Sequence, residues 1–315
     1  MTNMSSDNSF AIEAHDLTKL YGNFPAVDHI SFEVKNGEFF GFLGPNGAGK
    51  TTTARMLAGV IKADNGSATI MGYQAGSLKA KQVAGVIPEM SNAYPDLSAW
   101  DNLMLMAELY GVSPKEAKER TTALLRQMDL LERKSSRVQT YSKGMRQRLV
   151  MCMSLISDPQ VLFLDEPTSG LDVQSARLMK DILRSLNAAG KTIFLTTHDM
   201  EEANQLCHRV AIINKGRLVT VDAPEKLRMA VSGMRSVEVS FDGTVDEQTL
   251  EKMPGVSSLK KTGDKYLLYT PHPGDLACSI TSFASSSGKR IVSLNTLAPS
   301  LEDAFVALTT KDAKK

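Results

Sequence analysis

Eight residues, Gly44-Pro45-Asn46-Gly47-Ala48-Gly49-Lys50-Thr51, set glycines, one lysine and one hydroxyl in the spacing G-x-x-x-x-G-K-[ST]. Without a Cβ, Gly44, Gly47 and Gly49 let the backbone turn tightly, so that successive N–H groups, those of Asn46 and Ala48 among them, can converge on phosphate oxygens. Lys50 supplies a mobile point charge for terminal phosphates, and the Thr51 hydroxyl can ligate Mg²⁺. Thr51 and Thr52 open a helix whose N-terminal end adds its own attraction for anions. The chemistry these residues suit is the holding of a nucleotide by its phosphates.

A second cluster is Val161-Leu162-Phe163-Leu164-Asp165-Glu166-Pro167. An apolar strand delivers two adjacent carboxylates at its C-terminal end, the edge of an α/β sheet where ligands bind. Asp165 suits a Mg²⁺ ligand, commonly through water, and Glu166 suits the group that orients and polarises the water attacking a γ-phosphate.

These residues need strands and helices to hold them. Phe39–Leu43 reads as a buried strand leading into the glycine-rich loop, with a helix over 52–58 after it. Strands at 11–17 and 30–34 flank a turn at Tyr21-Gly22-Asn23, and 67–71 and 83–87 add two more. Between 98 and 129 the pattern turns helical. Ser98 with Asp101 marks one helix start; Ser113-Pro114-Lys115-Glu116 marks another, a capping box with proline at the first helical position. A third helix follows Ser142. Strand 161–164, helix 174–189 stopped by Gly190, strand 192–196, helix 200–206 and strand 210–214 then restore the α/β alternation. The fold class is α/β, a sheet interrupted by a helical insert. Beyond a boundary expected near 230–235, the order βαββαβ over 236–294 and a last helix at 300–308 predict a small α+β unit of ferredoxin-like, split βαβ type.

Composition narrows the classes further. A chain of 315 residues suits about two domains, and a hydrophobic content of 42% can build real cores. Lys+Arg 36 against Asp+Glu 35 leaves a net charge of +1, which gives no reason to expect nucleic acid as a partner. Cys152, Cys207 and Cys278 are far apart with no C-x-x-C pair, so each reads as a small buried hydrophobe in a reducing compartment. No apolar run approaches the ~20 residues that span a bilayer. Residues 1–10 are polar and read as a disordered lead-in rather than a signal peptide. Any membrane-spanning part must therefore come from another chain.

A third motif, Tyr141-Ser142-Lys143-Gly144-Met145-Arg146-Gln147-Arg148, opens the helix after Ser142 and precedes the acidic pair. With it, residues 12–227 resemble the ATP-binding cassette (ABC) ATPases, the motor subunits of ABC transporters, whose Leu-Ser-Gly-Gly-Gln signature stands at that place. The resemblance implies a P-loop NTPase with a RecA-like core, a β-subdomain and a helical subdomain at about 90–158. Together these form a nucleotide-binding domain at 11–230, followed by an accessory domain at 235–315.

It also implies roles. Tyr21 matches the aromatic that stacks on adenine, and Gly47, Gly49, Lys50, Thr51 and Thr52 match the phosphate loop. His198, after the strand ending in Thr196, matches the histidine that contacts the γ-phosphate, beside Lys50 and Glu166. Ser142 and Gly144 would reach the ATP held by a second copy, and Ser169-Gly170-Leu171-Asp172 would contact that copy beside the hydrolytic site. The signature departs from the family at Tyr141, Lys143 and Met145. Lys143 could favour ATP by its charge, whereas Met145 cannot make an amide's hydrogen bonds. Glu89 stands where the family has a glutamine that ligates Mg²⁺, and a carboxylate there should tighten metal dependence.

The expected function is ATP hydrolysis, with ATP and Mg²⁺, by a head-to-tail dimer driving a separately encoded permease. The protein would be cytoplasmic, attached to the membrane's cytoplasmic face through that permease. The stretch Asn92, Tyr94, Pro95, Leu97 and Trp100 matches the groove that receives the permease's cytoplasmic helix. The tail, Ser300-Leu301-Glu302-Asp303-Ala304-Phe305, resembles that of ATPases serving drug, antibiotic, ion or polysaccharide exporters, with Leu301, Phe305 and Leu308 on one packing face. An importer ATPase and a soluble, non-transport cassette ATPase stay open as alternatives.

Overall fold

The computed structural model describes residues 9–90, 92–230 and 235–312. The lead-in expected at 1–10 falls almost wholly outside them, as does much of the boundary expected at 230–235.

Strands β1 (Phe10–Tyr21) and β2 (Phe24–Lys35) form an antiparallel hairpin in which Tyr21 and Phe24 pair beside the turn. Both outrun the stretches expected at 11–17 and 30–34, because register shifts interrupt the alternation without ending the pairing. β3 (Phe39–Leu43) is buried at all five positions, the pattern of a strand covered on both faces. It leads to helix α1 (Lys50–Leu57). β4 (Asn65–Ile70) and β5 (Tyr73–Gln74) complete a four-stranded sheet of order β2-β1-β4-β5, and α2 (Leu78–Gln82) leads to β6 (Ala84–Ile87).

The insert consists of α3 (Ala99–Leu109), α4 (Pro114–Gln127) and α5 (Lys143–Leu155). Each is opened by a serine hydroxyl that accepts a backbone N–H: Ser98 from Asp101, Ser113 from Glu116 and Ser142 from Met145. Such a cap contributes about 1 kcal/mol. In the first turns of α3, Leu103 is fully buried, while Trp100 is half-buried with the Lys134 ammonium 5.4 Å from its ring centre.

The chain returns to the sheet through β7 (Val161–Asp165), α6 (Val173–Ala188), β8 (Thr192–Thr197), α7 (Met200–Leu206), β9 (Arg209–Asn214) and β10 (Arg217–Asp222). The sheet has the order β10-β9-β3-β8-β7-β6 and is parallel except for the β9–β10 hairpin. β3, β8, β7 and β6 therefore end side by side along one edge. Five phenylalanines bind this sheet to β2. Phe32 stacks on Phe40 at 5.7 Å, Phe40 on Phe194 at 5.9 Å, and Phe42 and Phe163 tilt against Phe194. Each such pair adds about 1 kcal/mol to the burial of its rings.

The chain divides into two compact units between Ala223 and Pro224. The second unit begins with α8 (Pro224–Ala230), a helix the sequence pattern did not announce. It continues with β11 (Arg235–Phe241), α9 (Glu247–Glu251), β12 (Ser258–Thr262), β13 (Lys265–Thr270), α10 (Pro273–Ser286), β14 (Ile291–Leu297) and α11 (Leu301–Asp312). Its sheet is antiparallel with the order β12-β13-β11-β14, so β13 lies between the two strands joined by α9. Val237, Val239, Leu268, Leu276 and Ile280 fill a core separate from that of the first unit. On α11 the buried residues are Leu301 and Ala304, while Phe305 and Leu308 are half-buried. The 301/305/308 spacing did not single out Ala304, which is fully buried. Cys152 and Cys207 are buried, but Cys278 is exposed on α10, contrary to its reading as a core residue.

Candidate functional site

The loop between β3 and α1 lies over the edge where the parallel strands end. Gly49 takes φ 107°, and a Cβ there would stand 2.5 Å from the Ala26 carbonyl oxygen, so only glycine lets the loop close onto β2. Ala48 is buried, and its carbonyl accepts the Gly216 N–H at 3.0 Å. Gly44 presses against Ile213 at the base of the same loop. Lys50 is 6% exposed, its ammonium donating to the carbonyls of Gly44 (2.8 Å) and Pro45 (3.2 Å).

The neighbouring strands bring the other groups to Lys50. At the end of β7 the Asp165 carboxylate accepts from the Thr51 hydroxyl (3.0 Å) and from the Thr196 hydroxyl of β8 (2.5 Å). Glu166 lies 3.5 Å from the Lys50 ammonium through Oε1, and its Oε2 is 2.8 Å from His198 Nδ1. Glu166 holds φ 50°, a left-handed conformation that costs a non-glycine residue about 1–3 kcal/mol. Its N–H donates to the Thr196 carbonyl and its carbonyl accepts the Ser169 N–H, which pins it there. Strain retained between Lys50 and His198 points to a position held for its chemistry rather than for packing.

A cleft of about 580 Å³ opens over these groups. Tyr21, Asn46, Gly47, Gly49, Lys50, Thr51, Thr52, Glu89, Glu166 and His198, all expected at the site, line it. Phe24, Ala26 and Ser169 line it too and were not expected to. Phe24 is the hairpin partner of Tyr21, and both rings are more than half exposed at the cleft's mouth. Only the register of the hairpin could have revealed it. Ser169, the first residue of the segment expected to meet a second copy beside the hydrolytic site, lines the cleft of its own chain.

Ser142, Lys143, Gly144 and Asp172 do not line the cleft. They gather at another place in the fold. The Ser142 hydroxyl caps α5, and Tyr141, at the signature's first position, is buried with its hydroxyl donating to the Arg133 carbonyl at 2.7 Å. A Cβ on Gly144 would lie 2.5 Å from the Ser175 hydroxyl oxygen, and Lys143 reaches over Gly170. Asp172 caps α6; the Ser175 N–H and then the Ser175 hydroxyl hold its carboxyl below the usual carboxylate range. One chain thus holds a phosphate cradle and, apart from it, a second polar helix start at the signature.

Comparison with known proteins places the whole chain among relatives. The family described as ABC transporter matches residues 27–169. The chain is 34% identical to the linearmycin resistance ATP-binding protein LnrL of Bacillus subtilis (strain 168), over 95% of its own length and 98% of that protein. It is 37% identical to the Nod factor export ATP-binding protein I of Rhizobium sp. (strain N33), over 97% and 99% of the two chains. Among solved structures, the ATP-binding subunit of an ABC transporter superposes with a TM-score of 0.65 at 29% identity, covering 70% of this chain and 93% of the other.

Proposed function

The chain belongs to the ATP-binding proteins of the ABC transporter family, and from that membership we propose that it powers a separately encoded membrane permease in export. It is a P-loop ATPase. The observation that carries the reading is the convergence of Lys50, the Thr51–Asp165 pair and the Glu166–His198 pair at one sheet edge.

In this reading the backbone of residues 44–51 and the Lys50 ammonium bind the phosphates, and Tyr21 with Phe24 offers rings to the base. Glu166, gripped by His198, orients the attacking water and takes its proton. His198 keeps the carboxylate aimed and lies within reach of the γ-phosphate. Thr51 and Asp165 offer a hydroxyl and a carboxylate 3.0 Å apart, hard oxygen donors of the kind Mg²⁺ prefers. Bound there, Mg²⁺ would offset the charge of the phosphates.

Among the described residues no helix is long and apolar enough to cross a membrane. The reading attaches the protein to the membrane's cytoplasmic face through its permease, on the ground of its membership of this family. Two copies meet head to tail, so that Ser142, Lys143 and Gly144 of one complete the nucleotide site of the other, with Asp172 beside it. The separation of signature and cleft within one chain supports this. The permease's cytoplasmic helix would lie along the stretch 92–100, of which Asn92 also lines an apolar hollow with Val60, Pro88 and Met90; Tyr94, Pro95, Leu97 and Trp100 lie outside that hollow's lining. Co-expression with the membrane protein encoded beside it, then solubilisation in mild detergent, should yield a complex in equal proportions. A chain that purifies alone, with turnover indifferent to the membrane protein, would contradict the proposal.

Glu89 lines the cleft with Glu166 and adds a carboxylate where phosphates must settle. ATP binding should therefore need more divalent cation than in the neutral variant. Glu89→Gln is expected to lower the Mg²⁺ concentration for half-maximal binding of a fluorescent ATP analogue by about fivefold, a charge–charge effect near 1 kcal/mol. Superimposable Mg²⁺ curves for the two proteins would remove the effect.

A further inference from the structure

Glu202 takes no part in the chemistry above, yet it is a fully buried acid behind the reacting edge. It lies in the first turn of α7, and its Oε1 accepts a 2.7 Å hydrogen bond from the Thr168 hydroxyl. Thr168 belongs to the turn that leaves β7, just beyond Glu166. α7 ends the turn that leaves β8, just beyond His198. The two strands are neighbours, with Asp165 opposite Thr196. The α7 side of this junction is itself fixed: Asp199 accepts the N–H groups of Glu201 and Glu202 at 2.9 and 3.0 Å, and donates its own N–H to the Thr197 hydroxyl.

A carboxyl in this place has a cost. Its Oε2 is buried with no well-formed hydrogen bond among the described residues, so the carboxyl bears a desolvation cost that the neighbouring hydroxyls only partly offset. Burial pushes the Glu202 carboxyl up, against the Thr168 and Thr197 hydroxyls and the charge of Lys180, with Asp199 adding to the rise. A costly buried acid that holds one particular hydroxyl calls for a reason other than packing. The strained Glu166 supplies one: its left-handed backbone is held in part by the Ser169 N–H, which belongs to the same turn as Thr168.

We propose that Glu202 is a positioning residue for hydrolysis: by hydrogen-bonding Thr168 it clasps the turn carrying Glu166 to the turn carrying His198, and so sets how those side chains meet. The clasp rests on the reading of Glu166 and His198 as the hydrolytic pair. Beyond it, the same turn runs on to Ser169 in the cleft wall, so a loosened clasp disturbs the water-facing side of the site and leaves the Lys50 cradle alone.

Three variants of the full chain test this. Glu202→Met keeps the bulk and loses the acceptor. Glu202→Gln keeps the acceptor without charge. Thr168→Val removes the donor with little change of shape. ATP turnover, binding of a fluorescent ATP analogue and Tm are measured on each. The Met and Val variants should lose about tenfold in kcat with KM and analogue affinity nearly unchanged, the scale of one lost hydrogen bond. Gln should stay near wild type, and the Met/Val double variant should be no slower than either single one. Wild-type kcat in the Met and Val variants, a Gln variant as slow as Met, or losses that multiply in the double variant would each overturn the clasp. Should the Met variant fail to fold, Thr168→Val and Glu202→Gln decide by themselves. If the clasp variants keep full turnover while Glu166→Gln is inactive, only the clasp falls; a Glu166→Gln protein that still hydrolyses ATP removes the reading beneath it.

Discussion

Replacing Glu166 with glutamine is expected to slow ATP hydrolysis by about a hundredfold to ten-thousandfold, the range of a positioned general base. Glutamine has nearly the same shape and keeps one of the two oxygens, facing either Lys50 or His198, so the cleft's geometry should largely persist. It cannot take a proton from the attacking water. Binding of ATP should stay within a few-fold of wild type, and in the head-to-tail arrangement the undischarged nucleotide should hold two copies together. Size-exclusion chromatography with Mg²⁺–ATP would then show the variant as a dimer where the active protein returns to monomer. Turnover at the wild-type rate would place the base at another residue.

The second large effect should come from Lys50→Met. Methionine keeps the stem of the side chain but removes the ammonium that bonds the Gly44 and Pro45 carbonyls and lies against Glu166. In a cleft where carboxylates outnumber nearby cations, this lysine opposes the repulsion between Glu166 and phosphate. Loss of one such preorganised charge lowers turnover by about a hundredfold to a thousandfold. Nucleotide affinity should fall as well, which separates this variant from Glu166→Gln. Isothermal titration of each with a non-hydrolysable ATP analogue makes the comparison, and unchanged affinity in Lys50→Met would take the lysine out of phosphate binding.

Much of the site could be read from local chemistry. The glycine spacing, the apolar strand ending in Asp165-Glu166 and the capping serines each carry their reason within a few residues. What stayed hidden depends on partners distant in the chain. Phe24 is an ordinary phenylalanine until the hairpin sets it beside Tyr21. Thr196 is a strand residue until β7 and β8 align and its hydroxyl meets Asp165. Glu202 sits in the run Asp199-Met200-Glu201-Glu202, which reads as the solvated start of a helix, whereas one of those acids is wholly buried. β10 and α8 lacked a clear alternation or periodicity, so the division of the chain was expected later than it falls.

Among the described residues each of the two units has a hydrophobic core of its own. Two such units can melt in separate steps, and where they do, a single unfolding free energy for all 315 residues is not a defined quantity. Ligand stabilisation enters through the unit that owns the cleft, and a heat-sensitive substitution has meaning only once it is assigned to the half it damages.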